Sequence, residues 1–138
     1  MTEKTSGLVE ALAGASSPSW ARRVRAGRDL VPFAGDPEAA EALLGLLLDA
    51  DDTAVVRRTA EALARVGTVT AVRLVARAAA GADENQADWL QTGVRDALAG
   101  GGGVPDVAAA CGRLARDPDE AVRRGAAEVL EWAGGTRG

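Results

Sequence analysis

Two stretches of the chain are near copies of each other, and they decide the fold. "DDTAVVRRTAEALARVG" covers Asp51–Gly67, and "DPDEAVRRGAAEVLEWAG" covers Asp117–Gly134. When Asp49–Gly67 is placed over Arg116–Gly134, an offset of 67 residues, eight of 19 positions are identical. Each copy starts with acidic turn residues, continues with apolar residues at helical spacing and ends on glycine, as a capped helix does. The sequence therefore predicts a repeated helical unit.

The rest of the chain supplies further copies. An offset of 67 residues corresponds to two units of about 33 residues, so another copy is expected between these two. "ADWLQTGVRDALAGGG" is that weaker copy, and "SWARRVRAGRDLVPFAG", upstream, is the loosest one. Four more amphipathic helices are predicted at Thr5–Ala13, Pro37–Leu48, Val69–Ala80 and Pro105–Ala115. We expect one all-α domain of eight helices in four helix pairs, with units at roughly 5–35, 36–67, 68–102 and 103–134.

Turn residues mark the predicted helix ends. Three dipeptides place a capping side chain before a proline: Ser17-Pro18, Asp36-Pro37 and Asp117-Pro118. Two pairs have the spacing of a capping box: Asp83 with Gln86, and Asp117 with Glu120. Glycines that suit a left-handed C-cap stand at Gly35, Gly67, Gly81, Gly100–Gly103 and Gly134.

Composition supports helices and excludes several kinds of chemistry. Hydrophobic residues make up 47% of the chain but aromatic residues only 3%, which disfavours a sheet. The chain has no His and no Tyr, so a histidine general base is impossible. One cysteine without histidine cannot build a usual zinc site. We therefore predict no catalytic residue, no metal site and no cofactor.

Charge and apolar runs bear on partner and location. The net charge of −4 argues against a nucleic-acid partner, because such partners are bound by neutralising phosphates. The longest apolar run, Leu43–Leu48, is too short to span a bilayer. No signal peptide is apparent, and the single Cys111 permits no internal disulfide, so we expect a cytoplasmic protein. Cys111 lies in a stripe of small residues and is expected to be a packed hydrophobe.

"VVRRTAEALARVG" and "VRRGAAEVLEWAG" resemble the HEAT-like repeats of bacteria, including those of phycobilisome chromophore lyases. The shared pattern is an aspartate in the turn followed by a helix reading roughly "VRRxAAEALxxxG". The resemblance implies a right-handed α-solenoid in which the second helices of the units stack on one another. The family contains scaffolds, inhibitors and a few enzymes, so it does not fix the function.

The favoured function is a non-catalytic protein-interaction module, namely a scaffold, adaptor or inhibitor, that binds its partner through the face formed by the second helices. One alternative is a small-molecule role like that of the chromophore lyases, although this chain is short. Another is nucleic-acid binding, as in HEAT-like DNA glycosylases, which the length and net charge disfavour. A monomer is expected, because the first helix, "SGLVEALAGA", is amphipathic enough to cap one end of the stack.

Two apolar stripes are expected to be buried between stacked helices. One consists of Val55, Thr59, Ala62, Leu63 and Val66, and the other of Val122, Ala126, Val129, Leu130 and Ala133.

The arginines admit two hypotheses. In the first, which the resemblance implies, Arg57 and Arg124 bond turn aspartates of neighbouring units, with Asp52 and Asp119 as the ladder acids. In the second, arginines line the concave face and bind an acidic protein partner, since guanidinium suits carboxylate. The candidates for that surface are Arg22, Arg25, Arg57, Arg58, Arg123 and Arg124.

Two further candidates come from positions where the copies differ. Arg58 and Arg65 are not required by the repeat, and their counterparts in the last copy are Gly125 and Trp132. Arg65 therefore joins the partner-binding candidates. Trp132 matches a polar position and is expected to be partly exposed, either capping the end of the stack or serving as a contact hot spot. Trp20 and Trp89 are expected in the core.

Overall fold

The computed structural model describes residues 2–100 and 104–135. Within these residues the chain forms eight α-helices and no strand, which confirms the all-α, eight-helix prediction. The helices are α1 (Thr2–Ala15), α2 (Trp20–Leu30), α3 (Pro37–Leu47), α4 (Thr53–Val66), α5 (Val69–Gly81), α6 (Glu84–Ala99), α7 (Val104–Leu114) and α8 (Glu120–Leu130). A 3₁₀ turn at Val31–Phe33 follows α2, and a wider helical turn at Glu131–Gly135 follows α8.

Several helix ends lie where the local sequence placed them. Asp36 caps α3 by accepting a hydrogen bond from the amide of Glu38 at 2.9 Å. Asp83 and Gln86 form the predicted capping box at the start of α6, with bonds of 2.8 and 3.2 Å. Gly67 ends α4 in the left-handed conformation with φ of 71°, where a side chain would be strained. Short-range capping signals are therefore sufficient to define these ends.

Helices α2 and α8 begin two residues later than predicted. Their caps are Ser19 and Asp119, not Ser17 and Asp117. The earlier side chains bond the caps themselves: Ser17 accepts from the amide of Ser19 at 3.1 Å, and Asp117 accepts from that of Asp119 at 2.9 Å. Both side chains close a turn ahead of the helix, so the predicted capping box between Asp117 and Glu120 is wrong.

The helices pack in two rows over most of the chain. The first helices of the predicted units, α1, α3, α5 and α7, contact one another in order, and α2, α4 and α6 do the same. The core between them is aliphatic and includes Leu30, Leu43, Leu63 and Leu90, each fully buried. Helix α8 departs from this order, because its main neighbour is α5 and not α6.

Two glycines explain which helices approach most closely. A β-carbon on Gly93 of α6 would collide with the carbonyl oxygen of Arg57 in α4. A β-carbon on Gly125 of α8 would collide with the backbone of Ala76 in α5. At both crossings backbone lies directly on backbone, which only glycine permits. The close crossing of α8 and α5 thus explains why the last copy has Gly125 at the position of Arg58.

The burial stripes are confirmed only in part. Val55, Thr59 and Leu63 are buried, but Val66 is 47% exposed. In the last copy Leu130 is 38% exposed, although its counterpart Leu63 is fully buried. The repeat predicted equal environments for Leu63 and Leu130, but α4 is covered by α2, α3, α5 and α6, whereas α8 is covered chiefly by α5 and α7.

Candidate functional site

An open groove of about 480 Å³ lies between the end of α2 and the exposed side of α4. The α2 side contributes Val24, Arg28 and Val31, and the α4 side contributes Arg58, Ala62 and Arg65 among others. Both sets follow the spacing i, i+4, i+7, so each wall of the groove is one face of its helix segment. We call this feature the arginine groove; its lining residues are Val24, Arg28, Val31, Pro32, Arg58, Glu61, Ala62, Arg65 and Val66.

The arginine groove is lined by apolar side chains, here called the apolar floor, and by three arginines, here called the rim arginines: Val24, Val31, Pro32, Ala62 and Val66 form the first set, and Arg28, Arg58 and Arg65 the second. Val66 is exposed there because it is the last residue of α4 and lies beyond the part of that helix that the core covers. Arg28 and Arg58 are exposed and form no ion pair within the described part of the chain. Guanidinium groups beside an aliphatic surface can bind the carboxylates of a ligand, while the aliphatic surface buries the apolar side chains of the same ligand.

Arg65 is the one rim arginine with an ion pair among the described residues. Its Nη2 donates to Oε2 of Glu61 at 2.6 Å, one turn back on α4. The side chain of Glu61 is 19% exposed and that of Arg65 is 59% exposed. Glu61 is therefore the more buried member of the pair.

A second depression of about 540 Å³ lies between α1 and α2. It contains the predicted Arg22 and Arg25, together with the acidic Glu10 and Asp29. Arg28 lines this depression as well as the arginine groove. The α1–α2 depression is lined by three arginines and two acidic residues, whereas the arginine groove is lined by three arginines and one acidic residue, so the groove has the higher net positive charge.

The arginines and aspartates of the predicted ladder do not pair as expected. Nε of Arg57 pairs with Oδ2 of Asp96 at 2.7 Å, which ties α4 to α6. Asp52 and Asp119 instead turn back to cap their own helices, each accepting from an amide two residues on at 2.9 Å. Arg124 forms no ion pair in the described residues. Arg57 thus bonds an aspartate of a neighbouring unit, but that aspartate is Asp96 of α6; Asp52 and Asp119 form no ion pair among the described residues, so the prediction that they are the ladder acids is wrong.

Two other ion pairs link neighbouring units through aspartates of the turns. Arg23 of α2 pairs with Asp49 at 2.9 Å, and Arg73 of α5 pairs with Asp117 at 2.9 Å. Both aspartates also accept backbone amides of their turns. The hydrogen bond from Arg73 is the main reason that the pKa of Asp117 is lowered from its ordinary value, and the same bond raises the pKa of Arg73.

Two of the three tryptophans take the opposite of their predicted environments. Trp132 is only 8% exposed, so the expectation of a partly exposed contact residue is wrong. The terminal turn folds against α6, α7 and α8, and Nε of Arg95 donates to the carbonyl of Trp132 at 3.3 Å. Trp89 is half-buried against the core, and Trp20, predicted to be core, is 54% exposed. Trp20 is the first residue of α2.

The remaining candidates lie outside the arginine groove. Arg123 and Arg124 are on α8, and Nη1 of Arg123 donates to the carbonyl of Asp117 at 2.6 Å. Arg57 lines neither depression. Of the predicted partner-binding arginines, the groove brings together Arg58 and Arg65 only.

The cysteine is buried and packed in the core, as predicted. Cys111 is 2% exposed, and burial raises the pKa of its thiol to about 11. No group of three or more metal-ligating side chains occurs among the residues that the structure describes. Over the same residues, no helix has both the length and the apolarity required to cross a bilayer.

No protein-family model matches the chain, and no match was found among curated proteins or among solved structures.

Sequence reasoning missed Arg28 and the apolar floor. Arg28 follows Arg22 and Arg25 at three-residue spacing, so the same helix face would have pointed to it. Val66 offered no such signal, because an apolar residue at stripe spacing is indistinguishable from core until the neighbouring helices are placed.

Proposed function

We propose that this protein is a non-catalytic interaction module that binds an acidic segment of a partner protein in the arginine groove. The observation that carries the proposal is that Arg28, Arg58 and Arg65 line one groove together with apolar side chains, of which Val66 is 47% exposed. The chain as a whole is acidic, with a net charge of −4, so the positive charge of this groove is opposite in sign to the net charge of the protein. Such a polarised surface attracts a partner of opposite charge and sets its orientation.

The groove favours an amphipathic helix as the bound segment. One wall alternates apolar, cationic and apolar residues at Val24, Arg28 and Val31, and the other has the reverse order at Arg58, Ala62 and Arg65. A helix with an aliphatic stripe and acidic flanks matches both walls, because its side chains repeat at the same i, i+3, i+4 and i+7 positions.

The proposal is tested with a peptide of defined chemistry. The probe is a fluorescein-labelled amphipathic helix of about 18 residues, long enough to be partly helical, with leucine on one face and glutamate on the flanks. Its counterpart carries lysine in place of glutamate. We expect the protein to bind the glutamate peptide, measured by fluorescence anisotropy, and to bind the lysine peptide at least about tenfold more weakly.

Charge reversal locates the site. The double variant Arg28→Glu/Arg58→Glu should lose binding of the glutamate peptide by about tenfold or more and gain binding of the lysine peptide. The matched control is Arg113→Glu/Arg116→Glu, which makes the same charge change at exposed residues around the end of α7. Equal loss in the control, or no binding of the glutamate peptide by the native protein, would contradict the proposal.

A nucleic-acid partner gives a different result in the same assay. The native protein is also tested with labelled duplex and single-stranded DNA. Binding with a steep salt dependence that is lost in Arg28→Glu/Arg58→Glu would show that the groove binds nucleic acid and not an acidic protein segment.

We also propose that the fold is a modified HEAT-like solenoid and that the protein acts as a cytoplasmic monomer. The two copies of the repeat and the ordered contacts from α1 to α6 support the solenoid, while α8 departs from its regular stacking. The buried, unpaired Cys111 fits a reducing compartment. Sedimentation velocity over a wide concentration range tests the monomer, because a dimer would sediment faster as concentration rises.

A further inference from the structure

Glu61 is the only acidic residue among those that line the arginine groove in the described part of the chain. On α4 it lies three residues after Arg58 and four before Arg65, so all three side chains share one face of the helix. A carboxylate in this position faces the charges that the proposed acidic partner would need.

The ion pair of Glu61 with Arg65 fixes the position of the Arg65 guanidinium. Oε2 of Glu61 accepts from Nη2 of Arg65 at 2.6 Å, a short charge-assisted hydrogen bond. The guanidinium of Arg65 also lies beside Gly100 at the end of α6, because a β-carbon there would be 3.6 Å from Nη1. The guanidinium of Arg65 thus lies between Glu61 on α4 and the end of α6.

We propose that Glu61 is a built-in competitor for the partner's carboxylate. It occupies Arg65 in the free protein, and an acidic segment binds by taking its place. Glu61 therefore sets the affinity and the charge selectivity of the groove. This inference rests on the proposed function, since it concerns the same groove and the same acidic ligand.

The other copy of the repeat provides the matched control. Glu128 occupies the position equivalent to Glu61, is exposed on α8, and has Trp132 four residues later where Glu61 has Arg65. Glu128→Gln and Glu61→Gln thus make the same charge change at equivalent helix positions, but only Glu61→Gln frees a groove arginine.

The experiment uses the glutamate peptide described above and compares dissociation constants. Glu61→Gln should bind it about fivefold more tightly than the native protein, because the substitution removes a competing ion pair and a repelling charge. Glu128→Gln should bind as the native protein does. The gain should shrink as salt is raised from low to near 1 M, because screening weakens both contributions.

A double-mutant cycle separates this role from a purely structural one. In an Arg65→Gln background, Glu61→Gln should improve binding by no more than about twofold, since the pair no longer exists. Unchanged or weaker binding by Glu61→Gln, with the native protein still binding the peptide, overturns the inference and leaves the proposed function standing. Absence of binding by both proteins overturns the proposed function itself.

Discussion

Replacing Gly125 by alanine tests the crossing of α8 over α5, which distinguishes this fold from a regular stack. The added β-carbon would meet the carbonyl group and Cα of Ala76, all of them backbone atoms that cannot rotate away. Forcing a methyl group into a filled site costs up to about 3 kcal/mol. Alanine recovers about 1 kcal/mol through its higher helix propensity. We expect a net loss of about 2 kcal/mol in the free energy of unfolding, or roughly 6 °C in Tm for a chain of this length.

The assay is urea unfolding followed by circular dichroism and by tryptophan fluorescence. Gly45→Ala is the control, because Gly45 is also helical but has nothing within 4 Å of an added β-carbon. It should gain about 0.5–1 kcal/mol from helix propensity alone. The two substitutions are chemically identical and should have opposite signs. A Gly125→Ala protein as stable as the native one would refute the close crossing of α8 and α5.

Three further outcomes follow from individual side chains. Thr59 is buried and its hydroxyl has no hydrogen-bond partner among the described residues, so Thr59→Val should raise the free energy of unfolding by about 1 kcal/mol; Thr92→Val, whose hydroxyl donates to the carbonyl of Asp88, should not, and an equal gain in both would contradict the argument. The lowered pKa of Asp117 contributes stability above its ordinary value of 3.8, and that contribution disappears as pH falls through the lowered pKa. The stability deficit of Asp117→Asn should thus be clear at pH 7 and shrink at pH 3 in urea titrations, whereas a constant deficit would exclude the linkage. Cys111, with a pKa of about 11, should react with iodoacetamide at pH 8 more than about 100-fold more slowly in the native state than in urea, as mass spectrometry would show; rapid native labelling would place the thiol at the surface.

Local signals in the sequence were sufficient for the number of helices and for several of their ends, although α2 and α8 begin two residues later than predicted. Capping at Asp36, the box of Asp83 with Gln86 and the left-handed Gly67 each depend on residues within one helical turn. These contacts form wherever the chain is placed in the fold, which is why the number and type of helices could be read directly.

The site depended on long-range packing that repeat logic misrepresented. Trp132 and Arg65 are equivalent by alignment, yet one is buried and the other lines the groove, because α8 packs on α5. Gly125 was the one sign of this packing in the sequence, because glycine inside a helix lowers stability and is favoured there where another backbone packs closely. Arg58 and Arg65 were predicted because they differ between copies, and the arginine groove contains both.

The placement of α8 on α5 has a consequence for how the protein opens. In a regular array each unit touches only its neighbours, so terminal units can fray by themselves. Here α5 contacts α3, α4, α6, α7 and α8, and release of α8 would uncover the backbone of α5 at Ala76. The slowest-exchanging amides of α5 and α8 should therefore exchange together, as parts of one cooperative unit in which the array behaves as a single globule.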